Sequence, residues 1–288
     1  PTGPKPRTGS LLRSMDLETV TLDDALRLLS RENTLGQGPC HLCLDPDEAY
    51  LIVANYFSGG ISVFPVTENG LGPIVQHAQH EGKSVHPTRQ AGPHAHHVSF
   101  IPGTRLLCCV DLGLDAVLVY RQDPATGRLA LNDRLDVAPG LGPRHLAYGK
   151  APYAYLAHEI GSQVSVLLRR ADCWETLQTL PTLPPDFEGE STVAAVRLSE
   201  DGRLLLVSNR GHDSIAFYDI GSDGLLTLRG IHATGGGIPR DFALLPGGRM
   251  LIGHQAGQVH LAAWDADSGI QTLDILDVAG AVCVCPAD

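Results

Sequence analysis

The stretch "GPHAHHVSF" (92–100) sets three histidines, His94, His96 and His97, within four positions. Imidazole gives and takes protons near neutral pH, so His96 is a candidate general acid–base group. Three arginines recur in similar settings: Arg144 in "GPRH", Arg210 in "SNRG" and Arg240 in "GGIPRD". Guanidinium groups brought together bind oxyanions, or the charge that builds on a carbonyl oxygen under attack. Glu159, in "HEIGSQVSV", adds a carboxylate. Such a set suits proton transfer on an anionic substrate. His94 and His96, spaced i and i+2, would also suit two metal ligands on one strand face. Further ligands would then have to come from arginine-rich surroundings, where a cation is disfavoured. No metal and no organic cofactor is expected.

Residues so far apart need a scaffold that returns the chain to one place, and a repeat of about fifty residues provides it. Five turn-and-strand segments share one plan: "DPDEAYLIVAN", "IPGTRLLCCVD", "GKAPYAYLAHE", "SEDGRLLLVSN" and "LPGGRMLIGHQ". Each follows a first strand marked by Cys40, His96, Arg144, Ala194 or Arg240, and these markers lie 56, 48, 50 and 46 residues apart. A third strand follows every time, "ISVFPV", "AVLVYR", "QVSVLL", "SIAFYD" and "QVHLAAW", and in most repeats a glycine turn leads to a weaker fourth. Alternation and β-branched enrichment read as strands. Four antiparallel strands per fifty residues make the blade of a β-propeller. In such a blade the first strand lines the central channel and the second runs antiparallel to it. The start of one and the end of the other therefore share a channel mouth, where propellers place ligands.

Two rings of side chains are expected at that mouth. One holds Cys40, His96, Arg144, Ala194 and Arg240. The other holds Asn55, Asp111, Glu159, Asn209 and Gln255, each 15 positions later, with Arg210 beside it. Residues such as Asn55 and Asp111 fit equally a role in knitting blades together. His97, with His41 and His145 at the matching position, is assigned to packing between blades. His77, His80 and His86 are assigned to an exposed loop. The helix-like "LDDALRLLS" (22–30) is read as the outer strand of a preceding blade.

The bulk numbers narrow the function. With 288 residues, 43% hydrophobic and 18% charged, the chain has the composition of an ordinary globular protein. A formal net charge of −11 argues against nucleic acid as a partner. It also means that an anionic ligand needs a local cationic pocket. Seven cysteines, an odd number with Cys108 and Cys109 adjacent, do not make a secreted disulfide framework. Cys40 and Cys43 have C-x-x-C spacing, but no second pair with zinc-type spacing follows. No apolar run reaches membrane-spanning length and no signal peptide opens the chain, so no membrane partner and a cytoplasmic location are expected.

The motifs "GPCHLCLDPDEAYLIVANY", "GPHAHHVSF", "VDLGLDAVLVY", "GPRHLAY", "SNRGHDSIAFY" and "GGIPRDFALLP" resemble the lactonase family of seven-bladed propellers. That family includes propeller-type 6-phosphogluconolactonases and carboxymuconate cyclases. The resemblance runs from residue 36 to about 285. It implies an all-β, seven-bladed-type propeller of four-stranded antiparallel blades, lacking its first blade and most of its second, with about five complete blades. Residues 1–35 are then a lead and partial blade, and 36–288 one propeller domain closed by "GAVCVCP" (280–286) as an inner strand. The resemblance implies that His96, Arg144, Glu159 and Arg210 form the site, with His158 where the family has asparagine. His96 and Glu159 would be the catalytic pair. Arg144 and Arg210 would stabilise the carbonyl charge or hold the substrate's anionic groups, with Arg240 a lesser contact. The implied reaction is hydrolysis of a small anionic lactone, most directly 6-phosphogluconolactone. The alternatives are a cycloisomerase of a carboxymuconate-type lactone and a non-catalytic propeller that binds a partner.

Overall fold

A computed structural model describes residues 8–12, 16–22, 26–171 and 173–285. Two compact units divide the chain, Pro1–Gly140 and Leu141–Asp288. Among the described residues there is no helix, so none is long and apolar enough to cross a membrane.

The first unit opens with a three-stranded antiparallel sheet of β1 (Thr8–Leu12), β2 (Asp16–Leu22) and β3 (Leu26–Asn33). Three strands thus precede residue 36. Most of "LDDALRLLS" lies in β3, an edge strand, while residues 23–25 lie outside the described residues. The next sheet contains β4 (Pro39–Leu44), β5 (Tyr50–Asn55), β6 (Gly60–Thr67), β7 (Gly70–Leu71) and β8 (Gln76–Gln79). Its fourth strand is split in two: β7 pairs with Val66 and Thr67 of β6, and β8 with Gly60–Val63. Gly72 and Pro73 fall in the break, where proline has no amide to give to the ladder. The following blade holds β9 (Ala95–Phe100), β10 (Leu106–Asp111), β11 (Ala116–Gln122) and β12 (Leu129–Asp136).

The second unit has three more four-stranded blades. They are β13 (Pro143–Tyr148), β14 (Tyr153–His158), β15 (Gln163–Arg170) and β16 (Cys173–Pro181); β17 (Thr192–Leu198), β18 (Leu204–Arg210), β19 (Ser214–Ile220) and β20 (Leu226–Ala233); and β21 (Pro239–Leu245), β22 (Arg249–His254), β23 (Gln258–Asp265) and β24 (Gly269–Asp277). All run as antiparallel meanders in chain order. The five repeats read from the sequence are five blades.

Burial explains the strand types. Second strands are nearly continuous apolar runs where both sheet faces pack against neighbouring blades, as in β18, five of whose seven residues are buried. In the first unit Ile52, Ile61 and Val63 share a core with Val98, Leu107, Cys109 and Leu118 of the next blade. In the second, Phe217 and Leu206 pack with Phe242, Met250 and Ile252. Outer strands such as β12 alternate with exposed polar residues. Their charged, solvated edges oppose edge-to-edge pairing.

The ends of the second strands knit the sheets together. Asn209 donates to the Thr182 carbonyl at 2.8 Å and to Ser214 Oγ at 3.2 Å, while the Thr182 hydroxyl donates back at 2.7 Å. Asn55 donates to Ser62 Oγ at 3.0 Å, and Ser62 donates to the Thr34 carbonyl. Asp111 accepts the backbone amides of His94, Gly113 and Leu114 and pairs with His80 Nδ1 at 2.7 Å. His80 is therefore buried and paired, contrary to its assignment to an exposed loop, and His77 lies in β8 with Nδ1 3.0 Å from Ser62 Oγ. Carboxylate pairing inside the sheet stack draws His80 in, a long-range effect that local sequence does not carry. The segment "GAVCVCP" does not form the expected closing strand among the described residues. Val284 donates its amide to Asp241 at 3.1 Å and lies close to Gly253, without a paired partner strand.

In the last blade this second-strand position is His254, fully buried with its ring 4.3 Å from that of His260. Burial foremost, and then the neighbouring His260, lowers its pKa from 6.5 to about 4. The unfolded chain therefore takes up a proton between pH 6.5 and 4 that the folded chain refuses, and stability falls as pH drops through that window. Chemical denaturation of the parent and of His254→Asn at pH 7 and pH 4.5 should show the parent losing up to about 3 kcal/mol more. Equal losses in the two proteins would contradict this.

Candidate active site

The five inner strands share one irregularity. Each carries a bulge near its start, where the ladder steps from Pro39 to His41, Ala95 to His97, Pro143 to His145, Val193 to Val196 and Pro239 to Asp241. The residues passed over are Cys40, His96, Arg144, Ala194 with Ala195, and Arg240. These are the markers picked out by sequence spacing. A bulge frees one residue from the ladder and re-aims its side chain, which is why bulges gather at functional sites.

The second ring needs a correction. Asn55, Asp111, His158, Asn209 and His254 lie opposite Pro39, Ala95, Pro143, Val193 and Pro239, the residues just before each bulge, so those five are equivalent. Glu159 and Gln255 lie one position further on. Their equivalents are Tyr56 and Leu112, which open the turn into the third strand, and Arg210, the last residue of β18, paired with Thr192. The amides of Tyr56, Leu112, Glu159 and Gln255 donate to the carbonyls of Gly38, His94, Gly142 and Ile238, each just ahead of an inner strand. A constant 15-residue spacing hides this one-residue slip: the bulge shifts the ladder by one residue in every blade, but the span from inner-strand start to second-strand end is one residue shorter in the blades of Arg144 and Arg240. Glu159 and Arg210 thus hold the same place in adjacent blades.

Within the second unit these positions converge. Arg144 Nε lies 2.8 Å, and Arg210 Nη2 2.9 Å, from the same oxygen of Glu159. Arg144 and Glu159 are buried, and the Arg210 side chain is 13% exposed. Arg144 Nη1 also donates to the Ala194 carbonyl at 2.7 Å and to His145 Nε2 at 3.1 Å, and Arg210 Nη2 donates to the Val193 carbonyl at 3.0 Å. Adjacent strand residues normally face opposite ways. The bulge at Arg144 is what lets it meet His145. For that contact the His145 proton belongs on Nδ1. Arg240 stands apart from this group, half-buried and bonded to Gln255 Oε1 at 3.2 Å.

His96 belongs to the first unit. It is buried at the bulge of β9, its ring edge-on to Tyr56 with centroids 5.5 Å apart, and its carbonyl faces Cys40 Sγ at 3.4 Å. His94 stacks on Tyr56 at 4.6 Å and its Nδ1 donates to the Tyr56 carbonyl at 2.8 Å. His97 packs against His41 with ring centroids 4.1 Å apart, as a blade-bridging residue should. Among the described residues no group of three or more His, Cys, Asp or Glu side chains is arranged to hold a metal ion. Burial raises the Cys43 thiol pKa strongly, which suits a packing residue better than a thiolate ligand.

Sequence reasoning missed the carbonyls of Val193 and Ala194 as guanidinium acceptors, since backbone groups carry no residue signature. It also missed Tyr56, which follows Asn55 in "VAN" as Arg210 follows Asn209 in "VSN".

A family model described as "Lactonase, 7-bladed beta-propeller" matches residues 12–286. The 6-phosphogluconolactonase of Bacillus subtilis is 35% identical over 268 residues, which cover 90% of this chain and 76% of that protein. The solved structure of a periplasmic gluconolactonase from Pseudomonas aeruginosa superposes with a TM-score of 0.86 at 33% identity, over 92% of this chain and 78% of that one. A putative 6-phosphogluconolactonase from Bacteroides fragilis gives a TM-score of 0.85 at 27% identity, over 93% and 79%. With blades, bulges and a buried arginine–carboxylate group in place, the chain belongs to the lactonase family of seven-bladed β-propellers and is a lactone-hydrolysing enzyme.

Proposed function

We propose that the protein hydrolyses 6-phosphogluconolactone to 6-phosphogluconate. The observation that carries this reading is the buried Arg144–Glu159–Arg210 group, in which one carboxylate holds two guanidinium groups together. Likeness to the Bacillus subtilis enzyme supports the phosphorylated substrate. Water attacks the lactone carbonyl, and charge builds on its oxygen at the tetrahedral stage. Arg144 and Arg210, already oriented, stabilise that charge without reorganising. A carboxylate engaged by two guanidinium groups is a poor proton acceptor, so Glu159 orients and His96 takes the proton from water. The proton then passes to the ring oxygen as the carbon–oxygen bond breaks. The assignment of His96 rests on register: it holds in its blade the bulge position that Arg144 holds in its own. Arg240 is a secondary contact with the substrate. We place the enzyme in the cytoplasm and in the pentose phosphate route. Adjacent buried cysteines at 108 and 109 suit a reducing compartment.

Turnover in ¹⁸O-labelled water tests the reaction type. Hydrolysis puts the label into the carboxylate of the product, whereas a cycloisomerase leaves the product unlabelled. Arg210→Ala should lose about 10²–10³-fold in kcat/KM, the scale of one oxyanion donor. His96→Ala should lower kcat by about 10²-fold or more with little change in KM. Full activity in either variant would refute the role given to that residue. A chelator should leave the rate unchanged, and loss of activity restored by zinc or calcium would refute the metal-independent mechanism.

A further inference from the structure

The longest spacing between repeat markers, from Cys40 to His96, contains an insertion at residues 81–93. This insertion is stapled in place. Gln90 is fully buried, its Nε2 donates to the Leu112 carbonyl at 2.9 Å, and its Oε1 accepts the His86 amide at 3.1 Å. Backbone bonds from Ser84 to Gln90 and from Gln90 to His86 close the loop. His86 Nδ1 accepts the amide of Arg89 at 3.1 Å. The guanidinium of Arg89 is thereby carried to Tyr56, donating from Nη2 to the phenolic oxygen at 3.3 Å.

Tyr56 holds in its blade the position that Glu159 and Arg210 hold in theirs, one past the residue opposite the inner strand's start, and its ring lies against His94 and His96. A phenol that accepts from a guanidinium keeps its own proton for another acceptor. A hydroxyl donor beside a guanidinium makes a clamp for an oxyanion. In the second unit, Arg144 and Arg210 share Glu159 and bond backbone carbonyls. That group has a net charge of one, against about two negative charges on a phosphate monoester near neutral pH.

We propose that Arg89 and Tyr56 bind the phosphate of the substrate beside His96 and set the preference for phosphorylated over unphosphorylated lactones. This inference rests on the reading of His96 as part of a lactone-hydrolysing site.

The test compares the parent, Arg89→Met, Arg89→Lys and Tyr56→Phe on 6-phosphogluconolactone and on glucono-δ-lactone. Arg89→Met should raise KM for the phosphorylated lactone about 10–100-fold, the scale of a charged hydrogen bond, with kcat within about 3-fold. KM for the unphosphorylated lactone should stay within about 2-fold. Arg89→Lys should recover part of the loss, because it keeps the charge without the fork. Tyr56→Phe should show the same selectivity at a smaller scale. Equal losses on both lactones, or none on either, would overturn the proposal. Calorimetric titration with 6-phosphogluconate separates this inference from the functional reading. If the parent hydrolyses neither lactone, the functional reading fails, yet binding that weakens about 10-fold or more in Arg89→Met still supports the clamp. Equal binding by the two proteins, or none by the parent, overturns it.

Discussion

One carboxylate oxygen, shared by two guanidinium groups and withdrawn from water, is the constraint on which the second unit's site depends. Arg144 and Arg210 carry like charges and meet at Glu159 from two different blades. Without the carboxylate, two buried cations would repel, and removing one partner of a buried charge group typically costs several kcal/mol. With it, both side chains are fixed before any substrate arrives, since the carbonyls of Val193 and Ala194 set their remaining geometry. That fixity is the property an oxyanion-stabilising group needs.

The blade supplies two special places, and chemistry is a matter of what fills them. One is the bulge in the inner strand and the other is the first residue of the turn after the second strand. Arg144 and Glu159 fill them in one blade, and Arg240 and Gln255 in another. In the first unit the same places hold Cys40 with Tyr56 and His96 with Leu112. The positions next to them do different work. Asn55, Asp111, His158 and Asn209 are buried and hydrogen-bonded inside the sheet stack. A shift of one residue therefore separates a blade-knitting side chain from one available for chemistry.

That one-residue shift marks how far the sequence could be read. Continuous apolar runs such as "LLCCV" and "LLLVSN", each followed by an alternating strand, made the five blades legible, because sheets stacked on both faces demand them. Cys40, His96, Arg144 and Arg240 were legible as equivalents because their spacing tracks the repeat. The slip that aligns Glu159 with Arg210 was not, since it comes from a hairpin between first and second strands that is one residue shorter in the Arg144 blade, and turn length leaves no compositional mark. Burial of His80 beside Asp111, 31 positions away, depends on tertiary packing. The broken fourth strand around Gly72 and Pro73 is signalled only by its breakers, and the sequence of strand β8 beyond it reads as loop.

The central claim, that Glu159 holds the arginines while the proton moves elsewhere, is tested most directly by the pH–rate profile of Glu159→Gln beside that of the parent. The amide can still accept a hydrogen bond but has no charge with which to hold two guanidinium groups. The account predicts a kcat lowered by about 10–100-fold on a profile whose ascending limb stays where the parent's lies, because that limb belongs to a histidine. Disappearance of the limb in Glu159→Gln would make the carboxylate the base and contradict the account.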